Sequence, residues 1–295
     1  MHKAFVLAAL TVATSSLFAQ TRDFSNVQIK VTKVAGNVYM LTGAGGNIGV
    51  SSGDDGIVII DDQFAPLAPK IKEALKSISD KPLKFIINTH YHFDHTGGNE
   101  VFGAEATIVA HENVRKRLAS GTTFGKVVTP PASKVALPVV TFNDRATIHA
   151  NGEDIRAMHV VSGHTDGDSV IFFPQSNVVH MGDDFWNGGF PVIDVDNGGS
   201  VKGMIAAIEQ VLPFINDDAK VIPGHGPLGD KKSLHAFLEM LKATSSAMEK
   251  EIKAGKTIEQ IKKENPIASF NEQWKKGGIG LDRYTDVLFN DLSRK

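Results

Sequence analysis

Residues 88–99 read NTHYHFDHTGGN, which sets three imidazoles and a carboxylate, His90, His92, Asp94 and His95, within six positions. The apolar run Phe85-Ile86-Ile87 precedes them and a Gly-Gly pair follows, the pattern of a buried strand running into a loop. Side chains alternate along an extended segment, so His90 and His92 point the same way and can approach one ion together. Asp94 and His95 fall on the next bend and can serve a second ion. The chain has 11 histidines and no cysteine. A transition-metal site must therefore be built from imidazole and carboxylate, and zinc accepts both. Disulfides, thiolate sites and a Cys nucleophile are excluded.

Over 295 residues the apolar fraction is 42% and the charged fraction 22%, enough apolar side chain for a large core. Lys plus Arg is 31 against 33 for Asp plus Glu, a balance that argues against a nucleic-acid partner and leaves a small-molecule substrate as the expectation. Residues 1–19, MHKAFVLAALTVATSSLFA, have a positive start, a short apolar run and small residues before Ala19. That is the layout of a secretory signal peptide, with cleavage expected after Ala19 and a periplasmic or secreted product. The apolar run is too short for a membrane span, and no cysteine follows to carry a lipid, so no membrane anchor is expected after cleavage. Residues 20–295 are expected to form one domain. Oligomeric state is not legible.

Along that domain, Gly-separated β-rich runs at 27–31, 37–42, 48–51 and 57–60 predict a meander of strands. Leu67, Ile71, Leu75 and Ile78 have helical spacing over 65–79. A strand over 107–110 and a helix over 111–118 follow, and the Gly- and Pro-rich stretch 119–138 reads as loop. Strands are predicted near 146–149, 154–160, 169–173, 177–181 and 220–222. Helices are predicted over 200–212, capped by Ser200, over 233–254, after the Thr257/Gln260 capping box, and at the end of the chain. This order suggests two α/β halves around one core.

His90, His92, Asp94 and His95 stand as the HxHxDH motif, and the sequence here resembles the metallo-β-lactamase superfamily. Ser162-Gly163-His164-Thr165, His180-Met181-Gly182-Asp183 and Pro223-Gly224-His225-Gly226 match that family's later ligand segments in order, and Ile57-Val58-Ile59-Ile60-Asp61 its early strand-plus-Asp element. The resemblance spans roughly residues 30–230. It implies an α/β fold, the four-layer αβ/βα sandwich, with the metals at one edge of two packed sheets. It further implies two zinc ions, with iron or manganese as alternatives. His90, His92 and His164 would hold the first ion, Asp94, His95 and His225 the second, Asp183 would bridge both, and Asp61 would support the ligands from behind. Asp94 would also orient the attacking hydroxide. His92 stands where the superfamily's di-iron flavoproteins usually carry Glu, which favours zinc hydrolysis.

The substrate is less legible. The best-known lactamase subclass has Cys where Asp183 stands and a Lys shortly after it, whereas Asp184-Phe185-Trp186-Asn187 follow here. The expectation is a dinuclear zinc hydrolase opening amide- or ester-type bonds, with β-lactams among the candidates. A glyoxalase II-like thioesterase or a lactonase on the same site, and a non-catalytic zinc-binding envelope protein, are the alternatives. Phe185, Trp186, Phe190 and Pro191 are expected either to shape a loop at the substrate pocket or to pack under that loop, with Asn187 or Asn197 as weaker candidates for contacting a carbonyl oxygen. His111, His149, His159, His180 and His235 have no motif partner and read as surface or satisfied core residues. Asp184 is an alternative ligand to Asp183, and Asp166 and Asp168 read as turn residues.

Overall fold

Strands that are apolar on both faces sit in the middle of this molecule, because each must be covered twice. All five residues of Gly56–Ile60 are buried. Val58 and Ile60 face one core, and Ile57 and Ile59 the other. The computed structural model describes residues 23–294, so the leader expected at 1–19 lies outside the described residues. Gly56–Ile60 belongs to a seven-stranded sheet in the order Lys30–Ala35, Val38–Thr42, Ile48–Gly53, Gly56–Ile60, Leu83–Asn88, Thr107–His111 and Val140–Phe142. The first four strands are antiparallel neighbours, and those from Gly56–Ile60 onward pair in parallel. A six-stranded sheet follows in the order Arg145–Ala150, Glu153–His159, Ser169–Phe173, Val178–His180, Lys220–Ile222 and Gly229–Asp230.

The two sheets pack face to face over Met40, Val58, Ile60 and Ile87 on one side and Ile155, Ala157, Ile171, Phe173 and Ile222 on the other. Helix Ala68–Ile78 covers the outer face of the first sheet through Ala68, Ile71 and Leu75. Helices Val201–Val211, Lys231–Lys253 and Leu281–Leu292 cover the outer face of the second. The layers are therefore helix, sheet, sheet, helix. Each fully covered aliphatic or aromatic side chain in these cores contributes roughly 1.5–3 kcal/mol. Among the described residues no helix is long and apolar enough to cross a membrane.

Helix ends follow local chemistry. Ser200 caps Val201–Val211 by accepting from Gly203 N at 2.9 Å. Thr257 and Gln260 close the expected capping box. A second box, Asp230 with Ser233, starts the long helix at Lys231, two residues before its expected start. The first strand runs from Lys30 to Ala35 rather than over 27–31. The stretch read as loop over 119–138 contains a hairpin, Thr122–Phe124 with Val127–Thr129. Its β-branched residues flank Gly125, whose φ of +57° makes the turn, a signal hidden by the surrounding prolines.

Candidate metal centre

Five loops leave the carboxyl ends of strands at one edge of the two sheets, where ligand sites form in open α/β sheets. Asp61 follows Gly56–Ile60, the segment His90–His95 follows Leu83–Asn88, His164 follows Glu153–His159, Asp183 follows Val178–His180 and His225 follows Lys220–Ile222. Parallel pairing fixes their common edge: Ile60 lies beside Ile87, and His180 beside Ile222. Asn47 laces one rim, its side-chain amide donating to Pro223 O and Gly226 O at 2.9 Å each.

Ligand-type atoms lie within 4.8 Å of one another in three groups, His90/His92/His164, Asp94/His95/His225 and Asp61/His90/His95. Asp61 is taken up by hydrogen bonds from Thr89 and His95, which leaves the first two as ligand triads. His164 Nε2 is 2.8 Å from His92 Nδ1, and His95 Nε2 is 3.2 Å from His225 Nε2. Asp183 stands between the triads. Its oxygens lie 3.0 Å from His95 Nε2, 3.5 Å from His225 Nε2, 3.6 Å from His164 Nε2 and 4.0 Å from His90 Nε2. Gly224 lets the Pro-Gly-His loop come this close, since a Cβ there would meet Gly182 C and O at 2.6 Å.

The outer ring nitrogens are already committed, and this fixes what the inner ones can do. Thr89 Oγ1 donates to Asp61 Oδ2 at 2.7 Å and accepts from His90 Nδ1 at 3.0 Å. His95 Nδ1 donates to the same Asp61 oxygen at 2.7 Å, His164 Nδ1 to Val192 O at 2.8 Å, and His92 Nε2 to Asp194 Oδ2 at 3.0 Å. His90, His92 and His164 therefore present a bare nitrogen inward, while His95 Nε2 faces Asp183 Oδ1 at 3.0 Å. Two lone pairs 2.8 Å apart on His92 and His164 repel unless a cation lies between them. His90 Nε2 is buried with no hydrogen-bond partner, which otherwise carries a penalty. An all-imidazole and carboxylate donor set of this kind fits zinc or a similar divalent ion.

The electrostatics agree. Burial, then neighbouring imidazoles such as His95 for His90, hold His90 well below the usual histidine range; burial also brings His164 to about 4. Burial opposes charge on His95 and His225, but Asp183 and neighbouring carboxylates outweigh it, raising His95 well above the ordinary value and His225 to about 9. Burial likewise opposes charge on Asp183 and Asp94. The facing imidazoles prevail, holding Asp183 well below the carboxylate range and Asp94 at about 2. The pocket thus stabilises positive charge where the triads meet.

Backbone strain gathers in the same loops. Asp61, Gln63 and Ser162 have φ of +63°, +58° and +55°, each costing on the order of 1–3 kcal/mol for a non-glycine residue. Three hydrogen bonds hold Asp61 in place, from Thr89 N, Thr89 Oγ1 and His95 Nδ1, each at 2.7 Å.

Sequence reasoning passed over Asp194, which accepts from Tyr91 Oη, His92 Nε2 and the Asn197 amide. Its signal is the run Phe190-Pro191-Val192-Ile193 ending in Asp, the same grammar as Ile57–Asp61. The expected pocket residues divide. Trp186 stacks on the His225 ring at 4.2 Å. Phe185 is a correction: it is fully buried and packs on Phe237 at 5.4 Å, because the turn after Asp183 aims it into the helix-covered core. Phe190 is buried in the same way against Tyr284 at 4.7 Å. Asn187 spends its amide on Pro227 O at 2.9 Å, bracing the His225 loop rather than opening to the cleft. Asn197 is used up by Asp194, Arg117 and Thr123 O. Asp184 accepts from His164 N at 3.0 Å, so it shapes the loop from behind and is not aimed at the triads. Asp166 pairs with Arg117, and Asp168 accepts from Thr165 N at 2.7 Å.

His180 is a satisfied core residue, bonded to Asn47 O and Gly182 N. His111 and His159 stack at 3.7 Å with rings 5° from parallel. Burial, then His159, holds His111 down to about 4 from an ordinary 6.5. The unfolded chain therefore binds the proton more readily than the folded one. Stability from this group is complete above about pH 6.5 and is lost as pH falls towards 4. Urea midpoints are expected to drop between pH 7 and 5, and His111→Asn, which keeps a capping side chain, is expected to shallow that drop. An unchanged slope in the variant would remove His111 from the account.

A family model described as the metallo-beta-lactamase superfamily matches residues 31–231. The alpha subunit of a 2,4-dinitroanisole O-demethylase from Nocardioides sp. (strain JS1661) is 25% identical over 231 residues, covering 77% of this chain and 67% of its own. A hydroxyacylglutathione hydrolase of Haemophilus influenzae is 28% identical over 173 residues, covering 54% of this chain and 77% of its own. A metallo-beta-lactamase from Pontibacter korlensis shares the fold, with a TM-score of 0.59 and 23% identity over 73% of this chain and 99% of its own. Two packed sheets, five strand-end loops and a family match across most of the described residues lead to one statement: this chain belongs to the metallo-beta-lactamase superfamily.

Proposed function

We propose that this protein is a dinuclear zinc hydrolase that opens an ester, lactone or thioester bond, with β-lactams as weaker candidates. One observation carries the reading: the Asp183 carboxylate lies within 4.0 Å of ring nitrogens from both triads, as a group shared by two ions would. His90, His92 and His164 would hold one ion, and Asp94, His95 and His225 the other. Two zinc ions bound there would supply a water that ionises near neutral pH and would polarise a carbonyl oxygen.

The protein's own groups do the rest. Asp94 is ionised and its side chain is 25% exposed, against 4% for Asp183, so it is the ligand carboxylate that faces the cleft and accepts and orients a proton there. Asp61 and Asp194 keep the histidines in the tautomers that face their lone pairs inward. Carbonyl hydrolysis needs no further nucleophile, and the resemblance to a hydroxyacylglutathione hydrolase supports acyl-transfer chemistry of this kind.

The test is a panel of an aryl ester, an acyl lactone, an acyl thioester and a chromogenic β-lactam, run on the purified protein with zinc and with a chelator. Zinc-dependent turnover of an ester, lactone or thioester is expected. Two bound zinc ions with no turnover of any member would support the non-catalytic zinc-binding alternative instead.

A further inference from the structure

The helices on the second sheet leave part of its outer face open. Strand register sets two rows of side chains across that face. One runs Arg145, Met158, Val170, and the next Thr147, Arg156, Phe172, Val179. Met158, Val170 and Val179 are buried under the helices. Towards the edge strand Arg145–Ala150 the cover stops, because helix Val201–Val211 gives way to the short turn Leu212–Phe214. Phe214, at the end of that turn, is 66% exposed. Between the turn and the open sheet lies a cavity of about 360 Å³, within the range of small-molecule sites, roughly 300–1,000 Å³. Buried Met158 and Ile215 and partly buried Phe172 give it an apolar bed, and exposed Arg145 and Arg156 stand at its rim.

The two arginines occupy diagonal positions on neighbouring strands, roughly 7–8 Å apart at the backbone. Like charges so placed repel, and only one has a counter-ion. Arg156 reaches Asp154 Oδ2 at 3.1 Å, and the other oxygen of that carboxylate lies 2.8 Å from His149 Nδ1. The Arg145 guanidinium has no hydrogen-bond or ion-pair partner among the described residues. The acids that follow Asn216 are spent: Asp217 pairs with Lys231 at 2.9 Å, and Asp218 accepts from Asn177 Nδ2 at 2.9 Å. The groove therefore joins an apolar bed to a positive charge that nothing in the chain offsets.

We propose that this groove is a second binding site, for a small apolar carboxylate. Its anion sits on Arg145 and Arg156, and its hydrocarbon lies along Met158, Phe172 and Phe214. Charge complementarity selects this occupant, since a guanidinium matches a carboxylate with two parallel N–H donors. An apolar amine would meet like charge, and a compact anion would leave Phe214 in water. The site is separate from the metal centre, because none of its lining residues is a proposed ligand. It stands whether or not the hydrolase reading does.

The test is calorimetry on the purified protein with octanoate, octanamide, octylamine and acetate. Excess acetohydroxamate is present throughout to occupy the metal centre. Octanoate is expected to bind about tenfold more tightly than octanamide, the scale of a hydrogen bond to a charged group. Octylamine and acetate are expected to bind more weakly than either. Arg145→Gln should erase most of the preference for octanoate, while Phe214→Ser should weaken octanoate and octanamide alike, by about threefold. Both side chains are exposed, so both variants are expected to keep the parental melting temperature. Octylamine binding as tightly as octanoate, or octanoate binding that is unchanged in both variants, would overturn the proposal. So would the absence of octanoate binding. Sedimentation with phosphatidylglycerol vesicles that depends on Arg145 would in that case give the face to a membrane surface instead.

Discussion

Asp183→Asn is expected to lower kcat/KM by on the order of 10³-fold or more and to cost the protein one metal ion, while circular dichroism shows the fold retained. The variant is isosteric, but a neutral amide removes the charge that offsets burial on His95 and His225. It also replaces one shared acceptor, set among four ring nitrogens, by a donor. A metal ion contributes several kcal/mol of transition-state stabilisation, and each 1.4 kcal/mol is about tenfold in rate. Chelation is expected to abolish turnover in the parent protein and to lower its melting temperature, because an ion that binds only the folded state stabilises it by about 2.7 kcal/mol at a hundredfold excess over Kd. Metal analysis and kinetics on the same sample decide the matter. An Asp183→Asn protein with two ions and parental activity would remove the shared-carboxylate assignment.

Asp61→Asn and Asp194→Asn are expected to weaken the two ions selectively, each by about 10- to 100-fold. Both carboxylates are pure acceptors here. Asp61 receives Thr89 N, Thr89 Oγ1 and His95 Nδ1, and Asp194 receives Tyr91, His92 and Asn197. An amide sets an N–H against one of those donors and favours the tautomer that turns an N–H inward. Asp194 acts on His92 and so on the first triad. Asp61 acts directly on His95 in the second triad, and through Thr89 on His90 in the first. Competition with a chromophoric chelator gives the two zinc constants. Asp194→Asn should lower one of them, and Asp61→Asn chiefly the other. Equal weakening of both constants in both variants would mean that the carboxylates support the loops generally and do not set particular tautomers.

Much of this centre is legible in sequence because its information is local. His90 and His92 share a direction through strand alternation, and His164, Asp183 and His225 each follow an apolar run that ends in a turn. Element types were readable for the same reason: Ile71 and Leu75 repeat at helical spacing, and Val58 and Ile60 face one core while Ile59 faces the other. The hairpin at 122–129 was hidden because Gly125 and the nearby prolines read equally well as loop. Phe185 was misread because sequence adjacency to Asp183 does not say which way the next side chain points.

Residue types and near neighbours are enough to read the donor chemistry, the order of the ligands and the strand-to-loop grammar, since each depends on a few adjacent positions. The packing of distant segments makes His92 and His164, 72 positions apart, face each other at 2.8 Å, sets Asp194 against His92 and Asp61 against His95, and puts Phe185 in the core while Phe93 and Val127 stay exposed. Those outcomes depend on how two sheets pack and which strand ends they bring together. That is settled by burial of the whole apolar surface, a sum no local stretch of sequence contains.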